Sequence, residues 1–262
     1  MGRLMIFTPT FATDTGNAIW TECAEAIRAQ VVDRGFEWVI GLHNPFPGSD
    51  NRNVLAQYQR ARDIFLADGY EAMLTVEHDS VLPDEHAAQR MLDTDADVVY
   101  GVYILRHNLR QLNAWQYIGQ HNLGGSLSYN CKEFRQAKAA GAWRVCGAGF
   151  GCTLFRRHVL ERLPFRPVNW NSFVPDVPFA EDALRAGFVS KARFDVPVKH
   201  WDDGQWLNPF PEPGELGYRY WPGAWKGIPQ WNCRYCKFDT LEGESTLLEH
   251  VDAVHGEWAS IQ

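Results

Sequence analysis

Apolar positions along the first hundred residues fall into two alternating patterns. Short apolar runs at Leu4-Met5-Ile6-Phe7, 36–42, 71–76 and 97–105 read as strands. Between them, apolar residues recur at helical spacing: Ile19, Cys23, Ile27 and Val31 within 17–33, then Leu55, Ile64 and Leu66 within 53–67. Asp84 caps the start of a further helix. Thr8-Pro9-Thr10 ends the first strand, and 43–51, with two prolines and a glycine, is a turn-rich loop. Strands separated by helices of this length predict an α/β fold, a mostly parallel central sheet with helices on both faces.

The second half is less periodic. Residues 117–130, rich in Gly and Ser, fit a hairpin or a loop, and Gly147-Ala148-Gly149-Phe150-Gly151 precedes an apolar strand at 152–155. Residues 188–200 read as two short strands divided near Asp195, and 208–223, dense in proline, glycine and aromatics, as irregular structure. The expected domains are therefore a large α/β unit at 1–207, a linker at 208–230 and a small module at 231–262.

Composition narrows the function classes. A hydrophobic share of 45% predicts a substantial core, and a net charge of −7 excludes nucleic-acid binding by bulk electrostatics. A nucleic acid would need a local basic track, for which 106–110 and 156–166 are the candidates. No apolar run has membrane-spanning length, and residues 1–10 read as a strand rather than a secretory leader. Cys23, Cys131, Cys146 and Cys152 show no disulfide framework, so the expected compartment is cytoplasmic and reducing.

The other two cysteines stand in a pattern of their own. Cys233 and Cys236 enclose two residues, His250 follows after thirteen, and His255 after four more. Two thiolates in a tight knuckle and two imidazoles about one helical turn apart can converge on one tetrahedral Zn²⁺. Leu247 and Phe238 are placed to pack beneath such a site; the competing reading is an acidic tail in which the four never meet. From 231 onward two basic residues, Arg234 and Lys237, face six acidic ones, which disfavours simple groove binding. The module either staples the C-terminus or docks a protein, or it touches DNA.

Glu77-His78-Asp79 leaves the third strand where a mostly parallel sheet gathers its ligands. Carboxylates two residues apart suit Mg²⁺ or Mn²⁺, which take oxygen ligands and bridge to phosphate. Around the triplet stand Arg52-Asn53 at a helix start, Gly101 and Tyr103, the Gly147–Gly151 run, Arg156-Arg157, then Asp176, Phe179, Gly187 and His200. In order and spacing these resemble the GT-A glycosyltransferases, in particular the glycosyltransferase 2-like, phage-type branch, over roughly 3–201. Two positions depart from the family pattern: Glu77 replaces the first aspartate, and Pro175 precedes Asp176 where glutamate is frequent.

The resemblance implies a metal-dependent transfer from a nucleotide sugar, UDP-linked by preference. Thr8, Pro9 and Thr10 would line the nucleotide pocket with Arg52 on the diphosphate. Asp79 and His200 would hold Mn²⁺ or Mg²⁺, with Glu77 beside them or, like His78, on ribose or sugar. Gly147, Ala148, Gly149 and Phe150 would shape the acceptor floor. Asp176 by spacing, or the Glu181-Asp182 pair, would be the base. With a terminal finger, the favoured acceptor is a hydroxymethylated pyrimidine in DNA within a phage-infected bacterium. The alternatives are a protein or glycan acceptor, and a non-catalytic zinc-finger binding protein on a GT-A scaffold.

Overall fold

The computed structural model describes residues 3–210 apart from 11, 14–15, 18–20, 43, 49, 106–107, 118–122, 129–131, 170–171 and 203–204, together with the backbone of 218–222, 229–233 and 239–240. In chain order the main elements begin β1 Leu4–Pro9, α1 Thr21–Arg28, β2 Phe36–Gly41, α2 Arg52–Ala67, β3 Ala72–Val76, β4 Ser80–Val81, α3 Ala87–Leu92 and β5 Val98–Val102. A hairpin, β6 Asn108–Tyr117 and β7 Leu123–Ser128, leads to α4 Lys132–Ala140, β8 Ala142–Arg144 and β9 Gly147–Ala148. The described part up to residue 210 closes with β10 Cys152–Arg156, α5 Arg157–Arg162, α6 Asp176–Arg185, β11 Ser190–Pro197, β12 Lys199–Asp202 and β13 Gln205–Leu207.

The central sheet has the order β8-β11-β5-β10-β3-β1-β2. Strands β2, β1 and β3 run parallel, as do β5 and β11, while β10 and β8 run against them. The expected α/β architecture, a mostly parallel sheet flanked by helices, is present. Strand composition follows position in the sheet. The interior strands β1, β3 and β5 are buried along their whole length, whereas β11, next to the edge, alternates buried and accessible residues.

Successive residues on an interior strand feed opposite faces. Met5, Phe7 and Met73 join Tyr58 and Phe65 of α2, Leu160 of α5 and Phe179 of α6 in one core layer. Leu4, Ile6 and Leu74 join Ile27 of α1 and Met91 of α3 in the other. Cys23, Cys146 and Cys152 are buried free thiols, and no helix among the described residues is long and apolar enough to cross a membrane.

The ambiguous stretch at 117–130 contributes to the β6–β7 hairpin, Leu123 pairing with Tyr117. The break expected near Asp195 falls instead at Val198, whose N–H reaches the Val102 carbonyl. Helices α4 and α5 carry no early sequence signal. The segment expected to be irregular contains a strand, β14 Tyr218–Pro222, paired antiparallel with β15 Pro229–Cys233, which in turn pairs with β16 Asp239–Thr240.

Two arginines of the supposed basic track have other work. Strand β10 ends at the edge of the sheet opposite the ligand side, where Arg156 donates to the Leu92 and Thr94 carbonyls after α3. Arg157 donates to Leu66 and Tyr70 carbonyls at the end of α2. Both heads satisfy carbonyls that a helix end leaves open, and they lie where a cation complements the helix dipole. These bonds leave both groups charged but fix their heads at that edge of the sheet. Of 106–110, no side chain lies among the described residues.

A buried asparagine fastens the hairpin to the sheet. Asn113 on β6 accepts from Tyr103 N–H (3.0 Å), donates its side-chain amide to the Gly101 carbonyl (3.0 Å) and its own N–H to the Tyr103 carbonyl (2.9 Å). Asn113→Ala strands a buried donor and a buried acceptor. It should lower unfolding free energy by about 3 kcal/mol, read from the midpoint of urea denaturation.

Candidate functional site

The candidate residues gather at the carboxyl ends of β1 and β3, between α2 and the loop before β10. Because β10 enters antiparallel between β3 and β5, it begins where they end. Cys152 pairs with Val76, and Glu77 N–H donates to the Gly151 carbonyl (2.9 Å). The Gly147–Gly151 loop is therefore laid against the acidic triplet.

The triplet turns directly into β4, whose Ser80 and Val81 pair with His200 and Lys199 of β12. Trp201 N–H donates to the Asp79 carbonyl (2.9 Å). This clasp carries His200 to Asp79 across 120 residues of chain; their Nε2 and Oδ2 atoms stand 3.9 Å apart, and each residue is 6% exposed. His200 Nδ1 lies 3.0 Å from the Ile104 carbonyl, which accepts only, so Nδ1 bears the proton. In its neutral form His200 turns the Nε2 lone pair toward Asp79. Two ligands each about 2.1 Å from a small cation lie about 3 Å apart when adjacent and about 4.2 Å when opposite. The observed separation falls inside that interval, and a carboxylate with an imidazole is a donor set Mn²⁺ accepts. Among the described residues no cluster of three or more such side chains converges, so a cation here would take its other ligands from a bound molecule or water.

Glu77 is placed differently. Its carboxylate accepts from the Tyr58 hydroxyl (3.1 Å), a phenol that burial and then Glu77 itself push well above its ordinary pKa. Tyr58 therefore remains a donor. His78 is half-buried between the two carboxylates.

Each glycine of the loop admits a named neighbour. A Cβ at Gly147 would lie 2.4 Å from the Ala180 methyl carbon, and one at Gly149 would lie 2.3 Å from the Tyr103 oxygen. The Asp176 Oδ2 atom is 3.7 Å from that same point, which sets Asp176 beside Gly149. Phe150 turns the other way, its ring 5.1 Å from Phe155 and 5.6 Å from Phe179 within the core. Of the four residues expected at the acceptor floor, Gly147 and Ala148 form buried β9, Phe150 anchors it, and Gly149 faces Asp176.

Asp176 opens α6, where its Oδ1 accepts from Val177 N–H (2.7 Å). Burial pushes its carboxyl above the ordinary carboxylate range. The two other base candidates are engaged by arginines. Asp182 takes both Nε (2.6 Å) and Nη2 (2.9 Å) of Arg166, and Glu181 lies 3.6 Å from Arg185.

The nucleotide-side candidates fall on the opposite wall. Thr8 is buried, its hydroxyl accepting from Trp38 Nε1 (3.0 Å), and Pro9 is buried beside it. Thr10 is held by Gln57, which accepts the Thr10 N–H (2.8 Å) and donates to the Thr10 carbonyl (2.6 Å). Arg52 lies 4.0 Å above the Phe46 ring and binds Asp50 (2.6 Å). Its neighbour Asn53 clamps the 44–50 loop through Phe46 N–H and carbonyl (both 2.9 Å). Gln57, Tyr58 and Asn113 are the positioning residues that sequence reasoning missed. A buried polar residue on an otherwise apolar helix face was the available signal for Gln57. Of the zinc candidates, Cys236, His250 and His255 lie outside the described residues, as does the Cys233 side chain.

No sequence family matches the chain. No curated protein matches it either. Among solved structures it is similar to protein A197 of STIV, with a TM-score of 0.51 at 18% identity over 79% of this chain and 90% of that one. It is more distantly similar to a mannosyltransferase of Pyrobaculum calidifontis solved with GDP-Man and Mn²⁺ (TM-score 0.40, 14% identity, 72% of this chain and 54% of that one). A CMP:2-keto-3-deoxy-manno-octonic acid synthetase solved with CTP gives 0.41 at 11% identity over 97% and 99%. The likeness to A197 is one of fold; the other two are too remote to bear on a reaction.

The Asp176 environment has a measurable consequence. A carboxyl whose folded pKa is raised stabilises the fold below its unfolded pKa, and that contribution is lost as pH rises through the folded value. Asp176→Asn keeps an oxygen for Val177 N–H and removes the buried charge. It should melt at a higher temperature than the unsubstituted protein at pH 7, with the gap closing below about pH 4 in calorimetric scans.

Proposed function

We propose that this protein is a divalent-cation-dependent glycosyltransferase that moves a sugar from a nucleotide-sugar donor, UDP-linked by preference, to an acceptor hydroxyl. The observation that carries this reading is the buried Asp79–His200 pair at the carboxyl end of β3, 3.9 Å apart, beside the Gly147–Gly151 loop, whose Gly149 lies against Asp176 of α6.

Asp79 and His200 are the residues that would hold the cation, which when bound would offset charge on the departing diphosphate. Glu77, which accepts from the Tyr58 hydroxyl, would take a ribose or sugar hydroxyl. Asp176 takes the proton of the acceptor hydroxyl as its oxygen bonds to the anomeric carbon. The bond from that carbon to the diphosphate oxygen breaks, and the nucleoside diphosphate leaves with the bonding pair. A base whose pKa is lifted by burial is better matched to neutral pH than an exposed aspartate.

For the acceptor, the reading is a hydroxymethylated pyrimidine in DNA, with the terminal module stapling the C-terminus, docking a protein or touching the DNA. Strand β15 ends at Cys233 and pairs antiparallel with β16 through Asn232 and Asp239, with Cys236 between them outside the described residues. A protein or glycan acceptor is the second reading, favoured by the helix-end engagement of Arg156 and Arg157.

With Mn²⁺ and a panel of UDP- and GDP-sugars, the protein should hydrolyse one donor slowly. Asp79→Ala and His200→Ala should each lower that rate at least about 100-fold while leaving the melting temperature within a few degrees. Unchanged turnover in both would refute the site. Labelled sugar should enter hydroxymethylated DNA and not unmodified DNA; label in a glycan or protein fraction instead would move the acceptor to the second reading. Elemental analysis should find one zinc per chain, released by Cys233→Ser.

A further inference from the structure

Tyr103 stands between the cation side of the cleft and its loop, and the transfer as proposed leaves it without a role. Its backbone steps out of strand geometry just after β5 and is held there by Asn113 at both N–H and carbonyl. Its ring contacts His200, with centroids 4.8 Å apart and planes inclined at 54°. The same ring covers the loop: a Cβ on Gly151 would come within 2.9 Å of Cε1, and one on Gly149 within 2.3 Å of the phenolic oxygen. The hydroxyl accepts from Gly151 N–H (3.2 Å), and its own proton meets no acceptor among the described residues. One side chain thus touches the imidazole on one flank and the Gly149–Gly151 backbone on the other.

We propose that Tyr103 is a positioning residue for the transfer described above, on which this inference rests. Its ring keeps the His200 imidazole turned so that Nε2 faces Asp79. Its hydroxyl sets the height of Gly149 and Gly151, and through them the gap between a sugar and Asp176. The two duties belong to different atoms, so they separate by substitution. Phenylalanine keeps the ring and removes the hydroxyl; leucine removes both the aromatic surface and the hydroxyl.

The test uses the full chain, with MnCl₂ titrated in the presence of UDP by electron paramagnetic resonance. Steady-state hydrolysis of whichever nucleotide sugar the unsubstituted protein turns over is measured alongside. Tyr103→Phe should leave Mn²⁺ affinity and donor KM within about twofold while kcat falls about tenfold or more. Tyr103→Leu should in addition weaken Mn²⁺ binding about fivefold or more. A purely structural tyrosine would lower melting temperature and active fraction in both variants without separating kcat from metal affinity. Full kcat in Tyr103→Phe, or equal Mn²⁺ loss in both variants, overturns the role while leaving the transferase reading intact. An unsubstituted protein that neither binds Mn²⁺ nor hydrolyses any donor overturns both.

Discussion

The candidate site depends on a short antiparallel clasp. Strand β12 closes onto β4 through His200 opposite Ser80 and through the Trp201 N–H bond to the Asp79 carbonyl. Few backbone bonds are involved, yet they decide whether an imidazole from the end of the sheet meets a carboxylate from its middle. The clasp is supported on both sides. Val198 is tied to Val102 as the chain leaves β11, and His200 Nδ1 is tied to the Ile104 carbonyl. A histidine so fixed has one tautomer when neutral, and its remaining nitrogen has one direction.

A second constraint is the reversed strand at the centre of the sheet. Parallel strands deliver their successors to the carboxyl edge of the sheet, and β10, running the other way, delivers its predecessor, the loop at 147–151, to that same edge. That loop could not come so close with side chains: Tyr103 occupies the space beside Gly149 and Gly151, and Ala180 and Trp115 the space beside Gly147. Glycine here serves close approach rather than a left-handed backbone. Phe150, between them, supplies the apolar anchor that holds the loop down.

Charge is sorted by edge. Arg156 and Arg157 satisfy helix-end carbonyls at the edge remote from the cleft, and Arg166 and Arg185 engage Asp182 and Glu181 along α6. Glu77, Asp79 and Asp176 collect at the cleft. A local excess of carboxylates favours a cation and disfavours a bare polyanion. Arg52, at the mouth, is occupied by Asp50 and Phe46.

Periodicity alone determined the α/β class, the early strands and helices and the placement of Glu77-His78-Asp79 at a strand end, because a buried strand and an amphipathic helix each write their burial into adjacent residues. Asp176 and His200 are marked as candidates by a resemblance in motif order, not by periodicity. Neither determined which of them meet. The choice between Asp176 and the Glu181-Asp182 pair turns on Arg166, sixteen residues from Asp182, and the Asp79–His200 approach on a pairing between strands 120 residues apart. Gln57, Tyr58 and Asn113 look like ordinary polar or aromatic residues until their partners are known. Such contacts leave no local period, since each is fixed by the packing of distant elements; tertiary structure alone decided them.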